Sequence, residues 1–255
     1  IYDTQTGHLS GLVDGTFLTA VRTGATSAVA TRILSHSDSR IVGMVGCGAQ
    51  AVTQLHALSR VLDISQVLVV DRDRSVAESL HERCKSAGLD LRMTIMDIDD
   101  IVPNVDVLCT ATSLDIGEGP LFDSPDTKPG LHINAAGADF PGKTELSRRF
   151  LLDSYVCPDH REQAMQQGEC QQLSDDEIGD DLEVLVRDPD SFRHLRNERT
   201  IFDSTGLALA DDVAAGIALR YAKEMNLGQF LKIEAVPVDA MNPYDILSHV
   251  KSVDA

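Results

Sequence analysis

One feature constrains the fold of this 255-residue chain more than any other, the glycine-rich turn Gly46-Cys47-Gly48-Ala49-Gln50-Ala51. An apolar run over residues 41–45 comes directly before the turn, and a helical pattern of leucines follows it. The turn is therefore predicted to join a buried strand to a helix. In such a turn the backbone N–H groups at the start of the helix can approach a diphosphate.

A carboxylate follows at the position where a dinucleotide-binding fold places one. The next apolar run covers residues 67–70 and ends in Asp71, twenty residues after Ala51. A carboxylate there accepts hydrogen bonds from the adenosine ribose. A lone glycine fingerprint is weak evidence, but the strand, the helix and the acid together predict a nucleotide-binding unit.

Strand and helix patterns alternate through the rest of the chain. Helices are predicted over residues 52–62, 75–87 (with Ser75 as N-cap), 145–152, 161–167 and 207–227. Further strands are predicted over residues 91–96, 105–111, 131–136, 155–157, 200–203 and 231–238. The acid-rich residues 174–183 are predicted to be a solvated surface stretch, and residues 1–19 to have strand and turn character. The alternation predicts an α/β fold with a doubly wound, mostly parallel Rossmann sheet.

Composition limits the partners. The net charge of −18 disfavours nucleic acid, because phosphate binding needs a basic surface. No run approaches the roughly 18 apolar residues of a membrane span.

Five scattered cysteines without a Cys-x-x-Cys pair favour reduced thiols in a soluble, cytoplasmic protein. The sequence contains no P-loop, and no tyrosine lies four residues before a lysine, which excludes short-chain reductases. It also contains no His-Glu-x-x-His zinc pattern, and no metal site is predicted.

Two further clusters bear groups suited to chemistry. Residues 22–28, which begin Arg22-Thr23-Gly24, are predicted to open a helix; their hydroxyl groups suit a helix cap, and the arginine suits a carboxylate. Residues 134–143 follow a central strand, where open α/β sheets place ligands. Asp139 in this second cluster is placed to transfer protons to an amine or imine, although Lys143 could instead pair with it structurally.

In order along the chain, these motifs resemble the ornithine cyclodeaminase/mu-crystallin family: Arg22-Thr-Gly-Ala, the glycine turn, His132-Ile-Asn-Ala-Ala-Gly-Ala-Asp-Phe-Pro-Gly-Lys143 and Ser204-Thr-Gly. The family includes ornithine and lysine cyclodeaminases, archaeal-type alanine dehydrogenases and ketimine reductases. The resemblance implies a homodimer. Residues 1–25 and 207–255 would form a partial substrate and dimerisation domain, and residues 26–206 an NAD(P)-binding Rossmann domain.

Position by position, the resemblance makes Asp139 the catalytic proton donor and acceptor. Arg22 would bind the substrate carboxylate, and Thr205 would lie beside the substrate. The implied cofactor contacts are Thr23, Gly46, Gly48, Ala49, Gln50, Asp71, Arg72, Thr112, Ala136, Gly137, Ala138, Lys143 and Ser204. Family members also carry an upstream segment with a substrate-binding lysine and a second arginine. Because this sequence starts downstream of it, we expect either a truncated sequence or an incomplete pocket.

The implied activity is NAD-dependent oxidation of a small L-amino acid at Cα to an imine, with conversion of L-ornithine to L-proline and ammonia as the lead case. Two alternatives stay open: alanine-dehydrogenase or ketimine-reductase chemistry in the same site, and a non-catalytic, mu-crystallin-like protein that binds NADP or another ligand. Asp71 favours NAD because its charge repels a 2′-phosphate, while Arg72 and Arg74 keep NADP open.

Overall fold

Seven parallel strands form one sheet in this computed structural model, which describes residues 1–123, 126–231, 239 and 241–246. The strands are β1 Ile41–Val45, β2 Gln66–Val70, β3 Met93–Ile95, β4 Val107–Thr110, β5 His132–Ala135, β6 Tyr155–Pro158 and β7 Thr200–Asp203. Their order in the sheet is β3-β2-β1-β4-β5-β7-β6, and each neighbouring pair is parallel. The predicted doubly wound α/β fold is confirmed.

Helices connect the strands. They are α1 Gly15–Leu34, α2 Ala49–Leu58, α3 Arg74–Ser86, α4 Ile98–Ile101, α5 Arg148–Leu152, α6 Arg161–Gln167, α7 Leu182–Arg187 and α8 Ala208–Glu224. Short 3₁₀ helices cover Val102–Asn104, Glu169–Gln172, Asp175–Glu177, Pro189–Asn197 and Pro243–Ile246. None of the helices in the described ranges is both long and apolar enough to cross a bilayer.

Both faces of the sheet are covered, because side chains alternate between them along each strand. On one face Met44, Val69 and Cys109 pack against Leu55 of α2 and Leu80 of α3. The same face continues over β6 and β7, where Cys157 and Phe202 pack against Leu34 of α1 and Leu185 of α7. On the other face Leu68, Leu108 and Ile133 belong to a cluster with Phe150 of α5 and Ala164 of α6. All five cysteines are buried, free thiols.

Two predicted helix starts were wrong. Helix α1 begins at Gly15, seven residues before Arg22, and its N-cap is Asp14, whose carboxylate accepts from the Thr16 N–H at 2.8 Å. The hydroxyl-rich cluster at Arg22 therefore lies inside a helix and does not cap one. Helix α3 is capped by Asp73, one position before the Arg74 that opens it, and not by Ser75. In both places an aspartate took the capping role, which its short acceptor side chain suits.

The chain divides into two compact units, Ile1–Ala215, which contains the whole sheet, and Gly216–Ala255, which contains the end of α8. The division into residues 1–25 with 207–255 and residues 26–206 stays a prediction, and its first border falls inside α1. In the front segment, an antiparallel bridge joins Tyr2 to Leu9, and helix begins at Gly15. The strand predicted over residues 231–238 lies outside the described residues except for its first position.

Candidate active site

The predicted site residues follow strand ends that lie level at one edge of the sheet. Val45 of β1 pairs with Val70 of β2 and Thr110 of β4, Thr110 pairs with Ala135 of β5, and Ala135 with Asp203 of β7. The residues directly beyond these five ends are Asp71, Gly46, Ala111, Ala136 and Ser204. Ligands of open α/β sheets bind at the carboxyl edge where the strand order reverses, which here is between β1 and β4.

The glycine turn after β1 has a backbone that requires glycine at Gly46. Its φ is +87°, and a Cβ there would lie 2.5 Å from the carbonyl oxygen of Ala111. The N–H of Gly46 donates to Val70 at 2.9 Å, and the N–H of Cys47 donates to the Asp71 carboxylate at 2.6 Å. Gly48 is the N-cap of α2 and makes no side-chain cap. The N–H of Ala51 donates to the Gly48 carbonyl at 3.2 Å, while those of Ala49 and Gln50 precede the first intrahelical bonds and can face an anion.

Two cavities meet at Asp71. The first, of about 320 Å³, is lined by the glycine turn, the ends of β1 and β2 and the segment after β4, including Gly46, Gly48, Asp71, Arg72, Thr112 and Leu114. The second, of about 420 Å³, is lined by Val70, Asp71, Arg74, Asp97, Asp100 and neighbours. The buried side-chain oxygen of Gln50, beside the turn, has no hydrogen-bond partner among the described residues. A glycine cradle, an uncapped helix start, an acid and an orphaned polar atom all fit a dinucleotide.

The two arginines after β2 are already paired with acids. Arg72 lies 3.5 Å from the Glu118 carboxylate and Arg74 lies 2.9 Å from that of Glu78. Asp71 also accepts from the N–H of Asp73 at 2.9 Å. This end of the site is therefore rich in negative charge. A third arginine, Arg83, donates to the carbonyls of Cys47 and Gly48 in the glycine turn.

Arg22 contacts the turn after β7. Its Nε donates to the Asp211 carboxylate at 2.8 Å, and its terminal nitrogens face Gly206, whose built Cβ would lie 3.0 Å from one of them. The side chain is only 13% exposed, so the guanidinium is held and not free to rotate in solvent. The neighbouring Thr23 is buried and donates its hydroxyl to the Thr19 carbonyl at 2.9 Å inside α1.

Asp159, which the sequence analysis missed, fixes the turn that contains Thr205. Its carboxylate accepts from the N–H and the hydroxyl of Thr205 and from the N–H of Gly206, each at 2.8 Å. Burial raises the pKa of Asp159, and these hydrogen bonds oppose the rise. Asp159 lines a cavity of about 240 Å³ together with Arg22 and with Leu207, the residue that directly follows the turn.

Asp139 and Lys143 form the ion pair that the sequence left open, with Nζ 2.9 Å from Oδ1. The Asp139 side chain is 61% exposed, whereas that of Lys143 is 13% exposed. An exposed carboxylate at the carboxyl edge of the sheet is accessible to a substrate.

The sequence analysis also did not find a set of buried carboxylates behind the carboxyl edge of the sheet. Glu145, Glu169 and Asp203 are fully buried. Burial raises the pKa of Glu145, and raises that of Glu169 well above its usual value with the help of the negative charge of Asp203. Burial raises the pKa of Asp203 to about 7, although the N–H of Cys170 donates to it at 2.8 Å. Acidic residues usually lie on a solvated surface, so the sequence favoured exposed positions for these three side chains.

Asp203 gives the fold a specific dependence on pH. Its pKa is about 7 in the folded protein against 3.8 for the free side chain, so the folded state holds a proton that the unfolded chain releases. The protonated Asp203 carboxyl contributes its full share to the free energy of unfolding at low pH. This contribution is lost as pH rises from about 4 to about 7. Between about pH 5 and 7.5 the free energy of unfolding should fall by roughly 2 kcal/mol more in the wild type than in Asp203→Asn. Urea unfolding of both proteins measures this, and parallel pH profiles would contradict it.

Comparison with known proteins identifies the family. The model of the ornithine cyclodeaminase/mu-crystallin family matches residues 1–225. The chain belongs to this family. The L-lysine cyclodeaminase of Streptomyces rapamycinicus is 41% identical over 244 residues, which are 96% of this chain and 71% of that protein. The resemblance inferred from the sequence motifs is confirmed.

Solved members of the ornithine cyclodeaminase/mu-crystallin family share the fold. A lysine cyclodeaminase, studied for its recognition of L-lysine, L-ornithine and L-2,4-diaminobutyric acid, matches with a TM-score of 0.91 and 45% identity over 96% of this chain and 71% of its own. An archaeal alanine dehydrogenase dimer with bound NAD matches with a TM-score of 0.83 and 31% identity, over 91% of this chain and 73% of its own. Relatives of this chain are thus enzymes whose described ligands are amino acids and NAD.

Proposed function

We propose that this protein is an NAD-dependent amino-acid cyclodeaminase or dehydrogenase of the ornithine cyclodeaminase type. Its proposed substrates are small L-diamino acids, with L-ornithine and L-lysine as the lead cases. The observation that carries the proposal is the meeting, at one sheet edge, of the glycine turn, Asp71 and the segment that leads to Asp139. The similarity to a lysine cyclodeaminase over 96% of the chain supports the choice of substrate class.

We assign the roles as follows. The terminal nitrogens of Arg22 bind the substrate carboxylate, because a guanidinium matches its planar shape, and Thr205 lies beside the substrate. Asp139 takes a proton from the substrate amine and returns one later. The nicotinamide cofactor supplies hydride transfer at Cα. For a diamino acid, the side-chain amine then attacks the imine carbon, ammonia leaves and reduction gives a cyclic imino acid, which is L-proline from L-ornithine.

We propose that the remaining positions contact the cofactor, as the family resemblance implies. The turn residues Gly46, Gly48, Ala49 and Gln50 would take the diphosphate, and Asp71 the adenosine ribose. The others are assigned to its nicotinamide half and flanks: Thr23, Thr112, Ala136, Gly137, Ala138, Lys143 and Ser204. We propose NAD over NADP, since Arg72 and Arg74 pair with glutamates and the Asp71 charge opposes a 2′-phosphate.

Incubation with a single amino acid tests the proposed reaction. With L-ornithine or L-lysine and NAD⁺ we expect ammonia release without net NADH accumulation, because the hydride returns to the product. NADP⁺ in parallel should support a rate at least about tenfold lower. Steady NADH accumulation with L-alanine would instead assign oxidative deamination, the chemistry of the archaeal relative. Binding of NADH with no turnover of any of these substrates would favour the mu-crystallin-like carrier.

We also propose a cytoplasmic homodimer. The dimeric alanine dehydrogenase and an apolar surface support the assembly, since Leu12, Phe17 and Val21 are 80%, 74% and 40% exposed. Five buried free thiols suit a reducing compartment. Light scattering of the purified chain measures the assembly.

A further inference from the structure

The segment that contains Asp139 is a closed loop. We call residues 136–145 the Asp139 loop; it starts directly after β5. The N–H of Gly137, near its start, donates to the carboxylate of Glu145, at its end, at 2.9 Å. A Cβ on Gly137 would overlap that carboxylate, so a larger residue here would displace the Glu145 side chain.

The Glu145 carboxylate also binds the end of β4. It accepts from the hydroxyl of Thr110 at 2.6 Å and from both the N–H and the hydroxyl of Thr112, at 2.8 and 2.6 Å. With the Gly137 bond, the two oxygens receive four hydrogen bonds, as many as an ionised carboxylate can accept. Glu145 is fully buried, so these bonds replace all of its contacts with water. One side chain thus joins the Asp139 loop to the segment that lines the first cavity.

Side chains of the 3₁₀ helix Glu169–Gln172 form further hydrogen bonds to the Asp139 loop. The Glu169 carboxylate accepts from the N–H groups of Glu145 and Leu146 at 2.6 and 3.2 Å. The Gln171 side chain accepts from Gly142 at 2.6 Å and donates to the Lys143 carbonyl at 3.0 Å. The 3₁₀ helix Glu169–Gln172 therefore fixes the tip and the end of the loop that contains Asp139.

We propose that Glu145 is a positioning residue for the reaction: it couples the Asp139 loop to Thr112 and so sets the proton-transferring carboxylate relative to the cofactor. This rests on the function proposed above. A carboxylate is required because each of its two oxygens faces a backbone N–H, which can only donate. Glutamine has the same shape, but its NH₂ group would face one of these N–H groups and break that hydrogen bond in either orientation.

The decisive variant is Glu145→Gln, with Glu162→Gln on the exposed surface of α6 as a matched control. In the cofactor-free chain, amide exchange at Gly137, Thr112 or both should become at least about tenfold faster, since these N–H groups lose a bond to a buried carboxylate. Amides within β1 should be unchanged. The kcat per NADH-titrated site should fall about 10- to 100-fold, with less than about a threefold change in KM for the amino acid.

Thr110→Val provides a second readout, because it removes one of the four bonds without changing side-chain size. It should give a smaller loss of kcat, and the double variant should be no worse than Glu145→Gln, since both act through one carboxylate. A merely structural Glu145 would lower the unfolding temperature with kcat per site unchanged, and that result overturns the positioning role. So does wild-type amide exchange in Glu145→Gln. If the wild type itself fails to bind NADH, the proposed function fails. Amide exchange still reports whether the Glu145 carboxylate holds Gly137 and Thr112.

Discussion

Asp139→Asn is expected to lower kcat by about 10³-fold or more while the Kd for NADH changes less than about threefold. Asparagine has the same size as aspartate, but its amide cannot take a proton from the substrate amine at neutral pH. Loss of a positioned acid or base costs typically 10²- to 10⁴-fold. The exposed side chain of Asp139 contacts Lys143, so its replacement leaves the buried core intact. Steady-state kinetics and NADH fluorescence titration measure the two effects.

Asp153→Asn is the matched control, because Asp153 is an exposed aspartate just after α5. It should keep wild-type kcat and Kd. Unchanged turnover in Asp139→Asn would assign proton transfer to another group and remove the main argument for the proposed mechanism.

Gly46→Ala is expected to weaken NADH binding at least about 100-fold and to destabilise the protein by several kcal/mol. An alanine at φ +87° is strained, by roughly 1–2 kcal/mol, and its Cβ would meet the Ala111 carbonyl at 2.5 Å. The turn must then move away from both β4 and the cavity. Isothermal calorimetry with NADH and urea unfolding measure the two losses.

Gly48→Ala separates binding from folding. Its φ is −71° and a Cβ there meets nothing within 4 Å, so stability should be kept. Affinity should still fall, because the methyl group lies where the diphosphate approaches the backbone. Gly216→Ala, in an open helical position of α8, should bind NADH as the wild type does. Wild-type affinity in Gly46→Ala would contradict a dinucleotide at this turn.

The sheet could be predicted from the sequence because its strands are buried on both faces and appear as short apolar runs between helical patterns. The glycine turn and Asp71 were likewise recognisable, since their spacing is local. The start of α1 was not, because Asp14-Gly15 is as typical of a turn as of a helix cap. The buried acids could not be found either. Glu145, Glu169 and Asp203 are neighbours only in space, and an acidic side chain normally indicates solvent.

The contact between Arg22 and Asp211 has a consequence for how the protein is made, since it joins residues 189 positions apart. On the ribosome, the glycine turn can close against the end of β4 once the residues up to Ala111 have emerged. Arg22 gains its carboxylate partner only when residue 211 has been translated. A nascent chain thus forms the glycine turn long before the Arg22 guanidinium is oriented, so the order of synthesis separates these two parts of the structure in time.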